Sequence, residues 1–213
     1  MELKRNQIIA ASVVVEGLLL LAAFVWSYLR SIPLFDKLTA AHLTQGVAFV
    51  VPLLFVNYIL FGPVSDHVRL LAPCRDFRET VVRPLANALD LPTALFVSCL
   101  AGFGEELFFR GMLQTEFGIV FASVLFAVLH FGPAIRSYLF IALIYLLFGF
   151  YFGFLFVYSG SLWPPILTHL VYDFVVLLVL RKMSLQKNDD PSMYWTEASQ
   201  HGDNSVNGSN PSS

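Results

Sequence analysis

Long apolar runs separated by short polar breaks dominate this chain. A helix that crosses a bilayer needs about 20 mostly apolar residues. Six runs approach or exceed this length, except that the fourth is shorter. They cover residues 8–29, 43–61, 91–116, 119–131, 137–158 and 166–180. Gly62-Pro63 and Gly132-Pro133 end two of them, and Trp163-Pro164-Pro165 belongs to the break before the last. The pattern predicts an all-α, polytopic transmembrane bundle of about six spans.

The remaining segments complete the predicted domain plan. The first run resembles a signal peptide, but Glu16 interrupts it, it is too long, and no convincing small-residue cleavage site follows, so we expect a retained helix. Residues 64–90 carry charges of both signs, which predicts a short helix or loop at the membrane surface. We expect an N-terminal two-helix region at 1–90, a core at 91–180, and a disordered polar tail at 181–213.

The distribution of Lys and Arg predicts the orientation of the bundle. Six spans place both termini on one side, and cytoplasmic loops carry an excess of basic residues. With the N-terminus inside, the inner segments hold ten of the 13 Lys and Arg residues, and the outer segments hold Arg30, Lys37 and Arg110. We therefore expect a multi-pass integral membrane protein with cytoplasmic N- and C-termini, in the inner membrane if the source is a bacterium.

The composition agrees with a membrane protein and excludes other classes. Hydrophobic residues make up 57% of the chain and charged residues 13%, against roughly 45–50% and about 25% in soluble domains. A net charge of −2 provides no basic surface for a nucleic acid partner. Two cysteines, Cys74 and Cys99, cannot build a disulfide framework. The expected surroundings are a lipid bilayer.

Charged residues inside the third run are the first sign of chemistry. Ionisable groups at membrane depth are costly and usually mark a function. Glu106 and Arg110 are four residues apart, so on a helix they share a face and can pair, which offsets the burial of both charges. Glu105 points about 100° away from Glu106 on an α-helix and has no local partner. It is the better candidate for a general base.

Two histidines in later runs extend this set. His130 follows Phe126 by four residues, and Asp173 follows His169 by four, so each pair shares a helix face. A carboxylate and two imidazoles on three helices can hold a divalent metal with an open water position or activate water directly. Taken singly, an intramembrane histidine more often bonds another helix, and Phe126 is a core residue. The three motifs in this order favour a functional site.

At this point the sequence resembles the CPBP intramembrane protease family, which includes the type II CAAX prenyl proteases and the lysostaphin-resistance-like (Abi) proteins. The resemblance covers roughly Leu91 to Leu180 and nothing in residues 1–90. Its motifs are Glu-Glu-Leu-Phe-Phe-Arg at 105–110, Phe-Ala-Val-Leu-His at 126–130, and the long, specific stretch 159–173.

The resemblance implies roles for these residues. Glu105 with His130 would activate the attacking water or bind a metal, and His169 with Asp173 would stabilise the oxyanion or complete the metal site. The implied catalytic set is Glu105, Glu106, His130, His169 and Asp173, with structural support from Arg110 and Phe126. The candidate metal ligands are Glu105, His130 and His169, for zinc or another divalent ion, and a metal-free glutamate mechanism stays open. Family members commonly have Asn where this chain has Asp173, and an ionised Asp cannot donate to an oxyanion.

Depth in the membrane tests whether these residues can meet. If the third and fourth runs meet near Gly118, Glu105 and His130 both lie about 18–20 Å from that turn. His169 follows Pro164-Pro165 by only a few residues. To reach the same depth, the Trp-Pro-Pro segment must itself dip into the membrane, which requires that it be buried in protein or line a watery cavity.

Three functions fit these features. The leading hypothesis is an intramembrane endopeptidase that cleaves a membrane-associated protein or peptide. The second is a non-proteolytic membrane factor, such as a bacteriocin-immunity or scaffold protein, and the third is a proton- or metal-coupled carrier. The complete set of motifs favours the first over the second, and the lack of inverted repeats disfavours the third. In a bacterium, prenylated CAAX substrates would be improbable.

Overall fold

A computed structural model describes residues 4–188 of the chain, with side chains to residue 183. Its α-helices are α1 (Arg5–Arg30), α2 (Ala40–Phe61), α3 (Val64–His67), α4 (Ala72–Phe77), α5 (Arg83–Ala88), α6 (Leu91–Glu105), α7 (Thr115–Phe131), α8 (Leu139–Ser159) and α9 (Trp163–Asn188). Residues 78–82 and 106–114 are π-helical, and 69–71 and 132–136 are 3₁₀ turns. No strand occurs in residues 4–188, which confirms the all-α prediction.

The number of spans agrees with the prediction once the turn at Gly118 is recognised. Five segments are long and apolar enough to cross a membrane, and one of them runs from Leu91 to Arg136. That segment is interrupted at Gly118, whose φ of +85° is a conformation that favours glycine. After this turn α7 packs back on the π-helical segment, where the rings of Phe109 and Phe126 lie 5.2 Å apart. The third and fourth predicted runs therefore form a helical hairpin.

Both described ends of the bundle lie on the same side. Ile8 near the start of α1 packs in one cluster with Ala86 and with Leu180 in the last part of α9. Arg5 also bonds Asp90 on this side, at 2.6 Å. This arrangement matches an even number of crossings. Which side faces the cytoplasm stays a prediction from the basic residues.

Residues 64–88 form a series of short helices that covers this end of the bundle. They pack on α2, α8 and α9. Arg78 is buried and donates to the carbonyl oxygens of Phe61 and Gly62 and to Asp66. Its guanidinium thereby satisfies carbonyl groups that the end of α2 leaves without helical partners. The predicted polar surface segment is thus folded as helices.

The last helix differs from the prediction at both ends. α9 begins at Trp163 rather than 166, because Pro164 and Pro165 occupy its first turn, where a proline's missing N–H is not needed. It continues to Asn188, so the predicted disordered tail at 181–213 begins too early, and residues 189–213 of that tail lie outside the described residues. The start of α9 is buried, as the depth argument required.

Candidate functional site

Four elements bring the predicted residues together. Glu105 ends α6, Glu106 begins the π-helical segment, His130 lies in the last turn of α7, and His169 and Asp173 lie in α9. A cavity of about 240 Å³ is lined by all of these residues except Glu106. Its other walls are mostly aromatic and aliphatic side chains from α2, α8, α9 and residues 77–85.

Glu105 and Glu106 are neighbours at the point where α6 passes into the π-helical segment. A π-helix turns less per residue than an α-helix, so successive side chains diverge less. Glu105 is 8% exposed and Glu106 is 0% exposed. The two carboxylates take different positions, because Glu105 lines the cavity and Glu106 does not, and each approaches a different ring nitrogen of His169.

Glu106 is the anchor of a buried network. Its carboxylate pairs with Arg110 at 3.2 Å, as the four-residue spacing predicted. Its Oε1 also lies 2.8 Å from Nδ1 of His169, a contact that joins residues 63 positions apart. Arg110 donates in addition to the carbonyl oxygen of Gly149, and its guanidinium lies 4.7 Å from the ring centre of Phe126. These contacts compensate the buried charge of Glu106 and fix the orientation of the His169 ring.

Glu105 faces the two histidines. Its Oε1 lies 3.6 Å from Nε2 of His130, and its Oε2 lies 4.0 Å from Nε2 of His169. These distances exceed a direct hydrogen bond, but a single water can bridge such a gap. Glu105 thus faces α7 and α9 across the cavity.

The bonds at Nδ1 assign the histidine tautomers. The Phe126 carbonyl oxygen can only accept, so Nδ1 of His130, 2.8 Å away, carries the proton. Nδ1 of His169 donates to Glu106 in the same way. Each imidazole therefore turns its Nε2 toward Glu105. Nε2 of His169 also lies 3.5 Å from Oδ2 of Asp173.

Two features of the geometry concern the predicted metal site. Both histidines donate their second nitrogen to an oxygen acceptor, which is what metal-ligating histidines do. Yet no three His, Cys, Asp or Glu side chains within residues 4–183 lie in metal-binding geometry. A zinc site at Glu105, His130 and His169 stays a prediction.

The start of α9 explains how His169 reaches this depth. Pro164 and Pro165 are buried, and the Trp163 indole donates to the carbonyl oxygen of Asp36 at 2.9 Å. The Asp36 carboxylate accepts from Ser161 at 2.8 Å. The chain before α9 is thus covered by the loop after α1, which satisfies its polar groups inside the protein.

Sequence reasoning gave little weight to three residues at this site. Glu16 of α1 entered the sequence analysis only as a charge that interrupts the first run. It packs against Gly104, and its Oε2 is buried with no hydrogen-bond partner among the described residues. Tyr145 of α8 and Tyr172 of α9 line the cavity. Tyrosines within apolar helices carry no motif, so no signal in the sequence would have found them.

The segment that contains the site is similar to known proteins. Residues 87–175 match the model of the family described as "Type II CAAX prenyl endopeptidase Rce1-like". An uncharacterized protein, YpbD of Bacillus subtilis (strain 168), is 35% identical over 92 residues. That match covers 43% of this chain and 48% of the relative, so it spans about half of the relative's length. No solved structure matches. The resemblance seen in the sequence is confirmed for this region.

Proposed function

We propose that this multi-pass membrane protein, whose residues 87–175 are Rce1-like, is an intramembrane endopeptidase that uses Glu105 to activate water. The observation that carries the proposal is the placement of the Glu105 carboxylate between the Nε2 atoms of two imidazoles, 3.6 and 4.0 Å away. All three groups line one cavity among apolar helices. A water held there is shielded from bulk solvent and lies against a basic group.

The proposed reaction begins with this water. Glu105 takes a proton from it, with Nε2 of His130 as a second acceptor, and the water oxygen attacks the carbonyl carbon of the scissile bond. The carbonyl electron pair moves onto the oxygen and forms a tetrahedral oxyanion. When the C–N bond breaks, the proton held by Glu105 passes to the leaving amine. The products are a new carboxylate and a new amino terminus.

His169 has a different part in this proposal. Its Nδ1–H is held by Glu106, which is itself fixed by Arg110, so the ring cannot rotate freely. The ring of Phe152 stacks on His169 at 4.8 Å and restrains it further. We assign His169 the role of holding the water from the side opposite His130. Glu106 and Arg110 then act through His169 rather than on the substrate.

The substrate class follows from the cavity. Its walls are largely apolar and lie between membrane-spanning helices, so a membrane-associated peptide segment fits better than a soluble protein. The printed name of the family refers to prenylated substrates. We leave the prenyl group out of the proposal, since nothing in the sequence identifies one.

The second candidate is a scaffold or immunity protein that keeps the motifs for folding. The buried Glu106–Arg110–His169 network favours it, because that network alone explains those three residues structurally. It leaves Glu105 unexplained, since a carboxylate facing two histidines without a direct bond contributes little to folding. Glu105 is therefore the residue that distinguishes the two functions.

The experiment compares protein N-termini in membranes from cells with wild type, Glu105→Gln or Glu116→Gln at matched expression. Glu116 pairs with Arg30 outside the cavity, so Glu116→Gln is the matched control. We expect a set of N-termini to disappear only in Glu105→Gln, and these name the substrates. Identical N-termini in all three strains, with a wild-type phenotype in Glu105→Gln, would overturn the proposal in favour of the scaffold.

A further inference from the structure

We propose that the Tyr145 hydroxyl donates the hydrogen bond that stabilises the oxyanion at this site. The inference rests on the proposed hydrolysis and adds a catalytic residue to it. An oxyanion needs a preorganised donor, and the removal of one such donor costs roughly 10²–10³-fold in rate. Such a donor must be a polar group that lines the cavity.

The donors of the residues in the sequence motifs face other groups. Nε2 of His169 lies 4.0 Å from the Glu105 carboxylate and 3.5 Å from that of Asp173, so a proton on this nitrogen points at those carboxylates. Nδ1–H of His130 is used by the Phe126 carbonyl, and Nδ1–H of His169 is used by Glu106. Arg110 bonds Glu106 and the carbonyl oxygen of Gly149. An ionised Asp173 only accepts. A donor must therefore come from elsewhere on the cavity wall.

Four other polar side chains line the cavity besides Tyr145. Arg78 is occupied by carbonyl and carboxylate oxygens at the end of α2. Ser98 precedes Glu105 by two helical turns, about 10 Å along the helix. Asn57 donates to the Tyr172 hydroxyl at 2.9 Å, which holds that hydroxyl beside α2. These contacts and distances favour Tyr145 over the four.

Tyr145 is placed against the reacting groups. Its ring centre lies 4.8 Å from that of His130, and its hydroxyl makes no hydrogen bond to any residue the structure describes. Glu105 and Asp173 line the same cavity as Tyr145. Rings of Phe126 and Phe148 lie 6.4 and 6.0 Å away and fix the phenol in its pocket. This donor is thus held against His130, which in turn faces Glu105.

The hydroxyl acts as a neutral donor throughout. It donates one hydrogen bond to the carbonyl oxygen of the substrate, and that bond shortens as the oxyanion forms. No proton leaves the phenol, so the proton balance of the hydrolysis is unchanged. The phenol supplies the donor that an asparagine amide would supply at position 173.

The test uses purified full-length protein and a fluorophore–quencher peptide that spans a bond identified by the N-terminal comparison. Tyr145→Phe removes only the hydroxyl oxygen, and Tyr151→Phe is the matched control on the same helix, bonded to the Phe49 carbonyl outside the cavity. We expect Tyr145→Phe to lower kcat about 10²–10³-fold with KM and thermal stability nearly unchanged. Tyr151→Phe should stay within a few-fold of wild type.

A rescue variant separates chemistry from packing. Asp173→Asn places an amide donor at the cavity, so in the Tyr145→Phe background it should restore kcat by about tenfold or more. Tyr145→Phe within twofold of wild type would overturn this inference while the peptidase function stands. If wild type cleaves no better than Glu105→Gln, the proposed function itself has failed, and the two failures are therefore distinguishable.

Discussion

Oε1 of Glu106 lies 2.8 Å from Nδ1 of His169 across two helices, while the same carboxylate pairs with Arg110. All three groups are almost fully buried. A buried pair is weak as a source of stability, but the removal of one partner leaves an uncompensated charge. Glu106 therefore both stabilises the buried network and orients the His169 ring. Glu105 has neither contact, so the two adjacent glutamates should respond differently to substitution.

Glu106→Gln should therefore destabilise the protein where Glu105→Gln does not. The unpaired Arg110 charge costs about 3–5 kcal/mol, whereas Glu105 makes no direct hydrogen bond to lose. The measurement is unfolding of both variants in mixed micelles with increasing SDS. Glu106→Gln combined with Arg110→Gln should recover part of the loss, since neither charge remains. Equal stability of the two single variants would contradict the assigned roles.

Two glycines in membrane-spanning helices should respond oppositely to alanine. A Cβ on Gly149 would lie 3.0 Å from Cα of Ser123, so helices α7 and α8 must separate, while a Cβ on Gly17 meets nothing within 4 Å. Overpacking of this kind costs about 1–3 kcal/mol. Gly17→Ala should be neutral or stabilising by up to about 1 kcal/mol, because alanine is the better helix former. Thermal unfolding in detergent measures the stability of both variants. If Gly149→Ala loses no more stability than Gly17→Ala, the α7–α8 contact is not tight.

The Cys74 thiol should not react with maleimides in the folded protein. Burial raises the pKa of its thiol to about 11, so almost no reactive thiolate is present at pH 8. In a Cys99→Ala background, a charged maleimide should label Cys74 only after denaturation in SDS. Mass spectrometry of the intact protein reads the label. Rapid labelling of the native protein would mean that the helices at residues 64–88 open readily.

The N-cap of α6 should weaken in acid. Hydrogen bonds from Thr93, with Arg5 nearby, hold the pKa of Asp90 below its usual value. The stabilisation it contributes is therefore complete above the pKa of the unfolded chain and disappears as the pH falls through the folded-state value. Asp90→Asn keeps a capping side chain without the charge. Between pH 6 and pH 3 wild type should lose more thermal stability than this variant, and parallel curves would contradict the assignment.

Metal removal tests the part of the sequence prediction that the geometry leaves open. Because the proposed reaction uses Glu105 as the base for the water, we expect peptide cleavage to survive 1,10-phenanthroline. The assay is the same quenched peptide, with metal content measured in parallel. A loss of activity that zinc restores would assign Glu105, His130 and His169 as ligands after all.

The local pattern of the sequence determined the helices, the turn at Gly118 and the Glu106–Arg110 pair, because apolar length, glycine conformation and four-residue spacing act over neighbouring residues. The candidate set Glu105, His130, His169 and Asp173 could also be named from its motifs. The π-helical segment, the first turn of α9 at Trp163 and the contact of Glu106 with His169 were decided by tertiary structure. Those features depend on which helices lie side by side, and residues 63 positions apart meet only through the packing of the whole bundle. The same holds for Tyr145, whose place beside His130 comes from the packing of α8 on α7.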